Sequence, residues 1–468
     1  MKPSIVSMVT FVVFLMGIEA AAVPPTSLRE VRDIFPMKNN VSFLAVDDYD
    51  LVIIAPLEFS NDLQPLIEHK NTCGIRTFLK TTDEIYTEYE GRDQAEQIKY
   101  FIKDALEQWH IRYVLLIGGR KGQLFNWHVP VRYSNLNDGA SGYTQFISDL
   151  YYADIYTDDG VTFEDWDSDD DGIFAEWTGF TNKDILDLTP DVSVGRLPCR
   201  NRYEVKTVVS KIIEYETSAY GKTWTNTLVT VGGNTFPTVD DPRFPYEGEA
   251  ICTSISEYLE GYTLTSLFTS DGTLTSPEDI VDALNQGCGL FFTSGRGGTD
   301  RIRMVMPEGT EFVAFHNKYI PQLNNKGMYP ICVLGECIHA KFDVSLLNIL
   351  GGFSQQNCIP ECIAWRLIRK PGGGAIAVIT NTNICYGATG DQNDNQVLDM
   401  AEIYVGGLSV EVFRLLGQET TQYLGDLHAQ TLRNYVDRYD VMSDKIHCKS
   451  VEEFTLLGDP SLRIGGYP

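Results

Sequence analysis

This sequence predicts an α/β protein of two subdomains, each with a mostly parallel sheet flanked by helices. Three observations predict it. Short apolar, strand-like runs alternate along the chain with amphipathic helical stretches. Strand-like runs such as 113–117 and 228–233 close on glycine pairs, where a strand gives way to a turn. The chain is also large enough to bury a sizeable core, with 468 residues, 43% of them hydrophobic and 11% aromatic.

The elements follow in order. Leu51-Val52-Ile53-Ile54-Ala55 reads as a buried strand. A helix over 94–109 follows, with Ile98, Phe101, Ile102, Ala105 and Leu106 on one stripe. Tyr113-Val114-Leu115-Leu116-Ile117 is the next strand, ended by Gly118-Gly119. A strand over 192–195 and a helix over 203–217 complete the first half. The second unit opens with a strand at 228–233, then helices over 247–259 and 277–285. Strands at 289–293, 330–335 and 375–380 come next, and helices near 401–416 and 427–439 finish it. Gly221-Lys222-Thr223-Trp224 separates the halves. The expected organisation is a signal peptide (1–22), an N-terminal segment (23–48), and α/β subdomains over 49–222 and 223–468.

The chain starts with one lysine, an apolar stretch over 5–18 and then Ala20-Ala21-Ala22. That pattern describes a secretory signal peptide cut near Ala22, and with it a secreted, extracellular or cell-surface location. An N-terminal membrane anchor is the alternative reading of the same stretch, and no later segment is long and apolar enough to span a bilayer. A formal charge of −27 argues against nucleic-acid binding, which needs basic surface. The ten cysteines are scattered, with no spacing that defines a disulfide framework.

In open parallel sheets, ligands bind beyond the carboxyl ends of strands. Two loops there carry chemistry: Gly295-Arg296-Gly297, and Glu336-Cys337-Ile338-His339. A thiol brought to a base by two such loops is an arrangement for nucleophilic catalysis.

Two acidic loops suggest calcium. Asp167, Asp169 and Asp171 alternate ahead of Gly172, the carbonyl of Ile173 follows, and Glu176 can close the site. A weaker second candidate is Asp391, Asn393, Asn395, Val397 and Glu402, where Gln396 replaces the turn glycine.

Several segments, in order, resemble the gingipain-like cysteine peptidases, the C25 family of the caspase-like clan. They are Tyr49-Asp50-Leu51-Val52-Ile53-Ile54 with Gly91-Arg92-Asp93-Gln94-Ala95-Glu96, Asp149-Leu150-Tyr151-Tyr152-Ala153-Asp154, and Val194-Gly195-Arg196-Leu197-Pro198. Gly373-Gly374-Ala375-Ile376-Ala377 with Tyr386-Gly387, and Leu457-Gly458-Asp459-Pro460-Ser461-Leu462, complete the set. The resemblance implies a caspase-like core, a peptide or protein substrate and structural calcium. It implies that Cys337, with Phe342 and Asp343 beyond it, stands at the nucleophile position. Gly295 and Gly297 match the glycines that flank the family's catalytic histidine, and Arg296 occupies the histidine position.

That substitution bears on activity. Histidine can take the thiol proton and return one to the leaving amine, because its pKa lies near neutrality. Arginine stays protonated and does neither, although a nearby cation can stabilise a thiolate. Backbone N–H groups at Gly297 and Cys337 could still form an oxyanion hole. Glu336 beside the thiol should disfavour the thiolate if the two side chains approach, but neighbours on an extended strand point apart. His339 and His316 are the candidate substitute bases. Two functions follow: a secreted cysteine endopeptidase impaired at the histidine position, or an inactive pseudopeptidase serving as a calcium-stabilised extracellular binding module.

Overall fold

Ten strands form one sheet, most of them buried, with the edge strand Thr263–Phe268 largely open to solvent. In the computed structural model, residues 48–468 are described apart from 140–141, 180–181, 237–242, 347–358 and 420, so the expected signal peptide and most of the segment after it lie outside the described residues. The first strands are β1 (Leu51–Ala55), β2 (Thr77–Thr81) and β3 (Tyr113–Ile117). A small sheet follows, made of β4 (Tyr133–Leu136), β5 (Phe146–Ile147), β6 (Glu176–Thr178) and β7 (Asn182–Lys183). The main sheet resumes with β8 (Ser193–Leu197), β9 (Thr227–Gly232), β10 (Thr263–Phe268) and β11 (Leu290–Ser294). A three-stranded antiparallel excursion interrupts it: β12 (Arg296–Gly298), β13 (Arg301–Val305) and β14 (Glu311–His316). The last strands are β15 (Ile331–Leu334), β16 (Ala377–Asn381) and β17 (Phe454–Leu457).

The main sheet runs β10-β9-β11-β15-β16-β17-β8-β3-β1-β2. All neighbours are parallel except β16 and β17, so two parallel blocks of five strands meet back to back. β17, from the end of the chain, pairs with β8 from the first half, and strands on both sides of residue 222 share one sheet. Residues Val46–Pro468 make one compact unit. β1, β3, β11, β15 and β16 are buried at every position, as continuous apolar strands covered on both faces should be.

Helix ends follow local chemistry. The helix Gln94–Trp109 starts where the Asp93 carboxylate accepts the Glu96 N–H, and stops at His110 in the left-handed region (φ 53°). Pro277–Gln286 has a Ser276/Asp279 capping box and ends at Gly287. The helix expected near 401–416 is split into a single turn, Asp399–Glu402, and a longer helix, Tyr404–Gly417. Tyr404 is left-handed (φ 57°), with its N–H donated to the Tyr435 hydroxyl at 2.7 Å. A Cβ on Gly406 would stand 1.7 Å from the Met400 carbonyl oxygen, so the turn is folded tightly onto the helix start.

The segments that carried the resemblance meet in buried ion pairs. Arg196 on β8, fully buried, donates to both Asp149 oxygens at 2.6 and 2.8 Å and to three backbone carbonyls. Lys70 is also fully buried and lies 2.8 Å from both Glu216 and Asp459, tying two helices to the loop after β17. Lys70→Met would leave those two carboxylates facing each other without a cation. A loss of about 3–5 kcal/mol is expected in urea denaturation.

Candidate active site

Parallel pairing brings the two candidate loops together. β11 and β15 are hydrogen-bonded neighbours, with Leu290 opposite Ile331 and Thr293 opposite Leu334, so both chains leave the sheet at the same edge. β12 then folds directly over the loop after β15. A Cβ on Gly297 would stand 2.2 Å from the Cys337 carbonyl oxygen and 2.6 Å from its nitrogen. Real side chains do not fit there, so Gly297 is what lets the backbone of β12 lie against the Cys337 loop. A Cβ on Gly295 would stand 2.7 Å from the Arg303 carbonyl oxygen, again too close for a real side chain. The glycines that flank position 296 are therefore required by packing, whatever residue stands between them.

Cys337 is partly exposed and precedes Ile338, which is left-handed (φ 54°) and donates its N–H to the Asn383 carbonyl. Its sulfur lies 3.3 Å from the Cys385 sulfur and 3.4 Å from the Cys385 carbonyl oxygen. The Cys385 S–H points at Cys337 and stabilises its thiolate. That hydrogen bond is the main reason the Cys337 pKa is pulled down to about 7; burial opposes it, and the Cys385 backbone and Lys449 help. Lys449 is buried, donates to the Ile384 carbonyl and pairs with Glu453 at 2.6 Å.

Glu336 and Cys337 lie past the end of β15, so strand alternation does not orient them; a hydrogen bond to β11 orients Glu336. Its carboxyl accepts from the Thr293 hydroxyl at 2.8 Å. Burial pushes its pKa up to about 8, against the opposing Thr293 hydrogen bond, so the group is largely neutral at pH 7 and sets no negative charge beside the thiol.

Glu336, Cys337 and Cys385 line a cleft of about 360 Å³ together with Phe236, Met400 and Tyr386. Arg296, Gly295, Gly297 and Cys337 all open onto it, so the structure brings the expected pair into one site. Arg296 is half exposed, sits opposite Arg303 across β12–β13, and reaches Glu311 at 3.9 Å. Lys449 rather than Arg296 is the cation among the leading influences on the thiol.

The two candidate substitute histidines lie elsewhere and do not line the cleft. His339 is fully buried, its Nε2 3.3 Å from the Arg301 carbonyl oxygen and its Nδ1 3.5 Å from Glu336. Burial lowers its pKa to about 4, so it is neutral near pH 7. His316 pairs with Asp300 at 3.0 Å, with its pKa lowered chiefly by burial.

In the first acidic loop, Asp167, Asp169 and Asp171 place carboxylate oxygens within 4.8 Å of one another. Asp167 accepts the N–H groups of Asp171 and Gly172, which shapes the turn, and pairs with Arg92 at 2.6 Å. Ile173 donates its N–H to Asp171, and Glu176 opens β6 with its carboxylate accepting from the Thr178 hydroxyl. The second loop has the same local geometry. Asp391 accepts the N–H groups of Asn395 and Gln396, with Gln396 left-handed (φ 69°). The Asn395 side-chain oxygen accepts the Val397 N–H, and the Asn393 and Asn395 amides both donate to Glu402.

Sequence reasoning missed Cys385, Lys449 and the small β12–β14 sheet. Cys385 was within reach of the rule that placed the other two loops, since it follows β16, the next parallel strand after β15. Lys449 carried no signal, because it comes from a helix far along the chain. Two pH profiles check the thiol assignment. Alkylation of Cys337 by iodoacetamide is expected to rise with pH and to reach half its maximum near about 7, instead of about 8.5 for a free thiol. Cys385→Ala should move that midpoint upward, because it removes the largest stabiliser of the thiolate.

Comparison with known proteins places this geometry in a family. Residues 45–465 match the family described as Peptidase family C25. Gingipain R2 of Porphyromonas gingivalis is 21% identical over 423 residues, which is 88% of this chain and 46% of that protein. Gingipain R1 of the same organism is 20% identical over 423 residues, covering 88% of this chain and 34% of its own length. The chain thus spans about half the length, or less, of these relatives. The crystal structure of the Arg-specific cysteine proteinase gingipain R matches with a TM-score of 0.60 at 19% identity, over 90% of this chain and 79% of that one. A complex of pro- and mature domains from Porphyromonas gingivalis matches with a TM-score of 0.58 at 19% identity, over 89% and 79%. The fold is therefore the caspase-like one, and among the described residues no helix is long and apolar enough to cross a membrane. With its fold and residues 45–465 matched, the chain belongs to peptidase family C25 as a gingipain-like cysteine peptidase.

Proposed function

We propose that this chain is a secreted cysteine endopeptidase that acts through the Cys337 thiolate and is impaired because arginine stands at the histidine position. One observation carries the reading: Cys337 opens onto the same cleft as Arg296 and its two flanking glycines, beside a Cys385 hydrogen bond that pulls the thiol pKa down. The Gly297 and Cys337 backbones, packed together, supply N–H groups for the oxyanion of a tetrahedral intermediate. Attack is thus provided for, while return of a proton to the leaving amine is not. General acid–base catalysis is worth about 10²–10⁴-fold, which sets the size of the deficit. The second reading is a pseudopeptidase, a calcium-stabilised extracellular binding module. It is favoured by the position of Arg296, which reaches toward Glu311 on a surface where no histidine lines the cleft.

A fluorogenic peptide panel under reducing conditions separates the readings. Arg296→His is expected to raise turnover by about 10²-fold or more, and Cys337→Ala to abolish it. Equal high turnover in the wild type and Arg296→His would overturn the impairment. No turnover in either, with rapid alkylation of Cys337, is the result expected of a binding module.

The calcium assignment belongs to the same reading. Asp167, Asp169 and Asp171 would hold a hard dication, with the Ile173 carbonyl and Glu176 completing the shell. Asp391, Asn393, Asn395, Val397 and Glu402 form the second, weaker candidate. Arg92 alone does not balance the carboxylates Asp165, Asp167 and Asp170 that it approaches, which leaves net negative charge for a cation to offset. A hundredfold excess of calcium over its dissociation constant contributes about 2.7 kcal/mol, so EGTA is expected to lower the thermal midpoint by several degrees. Asp171→Asn should shrink that difference, and a melt indifferent to EGTA would remove calcium from the proposal.

A further inference from the structure

The cleft contains a second thiol that the peptidase reading does not require. Cys337 and Cys385 leave the sheet from adjacent parallel strands, β15 and β16, and their sulfurs stand 3.3 Å apart. The Cys337 sulfur also contacts the Cys385 carbonyl oxygen, so the two loops are held at both the backbone and the side chain. A disulfide needs an S–S separation of about 2.0 Å, so the sulfurs need to close by little more than about 1 Å. Both residues line the same cleft, and both are partly exposed, so a small oxidant reaches them by the route a peptide would take. Six of the nine described thiols are instead buried.

We propose that Cys385 is a resolving thiol, closing a reversible disulfide with Cys337 that masks the nucleophile when a low-molecular-weight disulfide is the oxidant. The inference concerns regulation of the same site and rests on the reading of Cys337 as its nucleophile. The Cys337 thiolate attacks one sulfur of the small disulfide RSSR; a new S–S bond forms, the old one breaks, and RS⁻ leaves and takes a proton from water. Cys385 then gives up its proton and attacks the Cys337 sulfur, expelling the second RS⁻. The two protein thiols are oxidised by two electrons in total, and RSSR is reduced to two RSH. A dithiol reductant reverses both exchanges.

The chemistry suits the site. An attacking thiol works best with a pKa near the ambient pH, and the hydrogen bond from Cys385 holds Cys337 there. The same contact therefore has two consequences: reduced, it stabilises the thiolate; oxidised, it removes it. For a chain read as exported, small disulfides belong to its surroundings.

The test uses the full chain. It is incubated with glutathione disulfide at neutral pH, quenched with N-ethylmaleimide and digested without reduction for mass spectrometry. The expected product is one cross-linked peptide pair joining Cys337 to Cys385, lighter than the two thiols by two hydrogens. Iodoacetamide labelling of Cys337 should fall by about tenfold or more and return with dithiothreitol. Cys385→Ser keeps a hydrogen-bond donor but no sulfur. In that variant, and in Cys385→Ala as a second one, Cys337 should stop at the glutathione adduct. A wild-type chain that keeps the adduct at Cys337, or that pairs Cys337 with another cysteine, overturns the proposal. The cross-link is read by mass on the chain itself, irrespective of turnover. Its absence would leave the peptidase reading standing, and absence of turnover in the reduced chain would leave the cross-link standing.

Discussion

The parallel hydrogen bonding of β11, β15 and β16 is the constraint on which the site depends. Because the three strands run the same way and are neighbours, the loops after them open at one edge of the sheet. Arg296, Cys337 and Cys385 meet there although 89 positions separate the first from the last. The contact of Gly297 with the Cys337 backbone completes the arrangement by closing the roof of the cleft. Backbone geometry thus builds the site before any side chain acts in it. The fold therefore does not depend on which side chain stands at position 296.

The electrostatics of the cleft also look different from those a Cys–His pair would produce. The thiolate is stabilised from the Cys385 side and by buried Lys449, while Arg296 reaches toward Glu311. Glu336, which would repel a thiolate if charged, is buried and largely neutral. A pKa change of one unit corresponds to about 1.4 kcal/mol, so the S–H···S contact, the Cys385 backbone and Lys449 act together against burial to bring the thiol toward neutrality. What these contacts cannot supply is a group that both takes and gives a proton. Activation of the nucleophile and protonation of the leaving group are separable tasks, and this cleft is equipped for the first.

Much of the fold was legible in the residues. Continuous apolar runs such as Leu51–Ala55 and Leu290–Ser294 have few options but to become strands buried on both faces. Asp93, Asn201 and Ser276 mark helix starts through bonds made within one turn. The turns of the acidic loops were legible for the same reason, since the carboxylates and the N–H groups they accept lie within a dozen positions. The break at Tyr404 was not legible, because its reason is the hydroxyl of Tyr435, 31 positions away.

What the sequence by itself determined is therefore local: the strands, the capped helices, the thiol at Cys337, the arginine between two glycines and the alternating carboxylates. Periodicity, capping and chemical type are properties of neighbouring residues, and a linear reading has access to them. The tertiary structure alone decided how the two halves share a sheet, with β17 returning from the end of the chain to lie beside β8. It alone brought Cys385 and Lys449 to the thiol and enclosed His339 away from the cleft. Those outcomes depend on which strands pair, and pairing is settled by the packing of the whole core, which no segment of the sequence encodes alone.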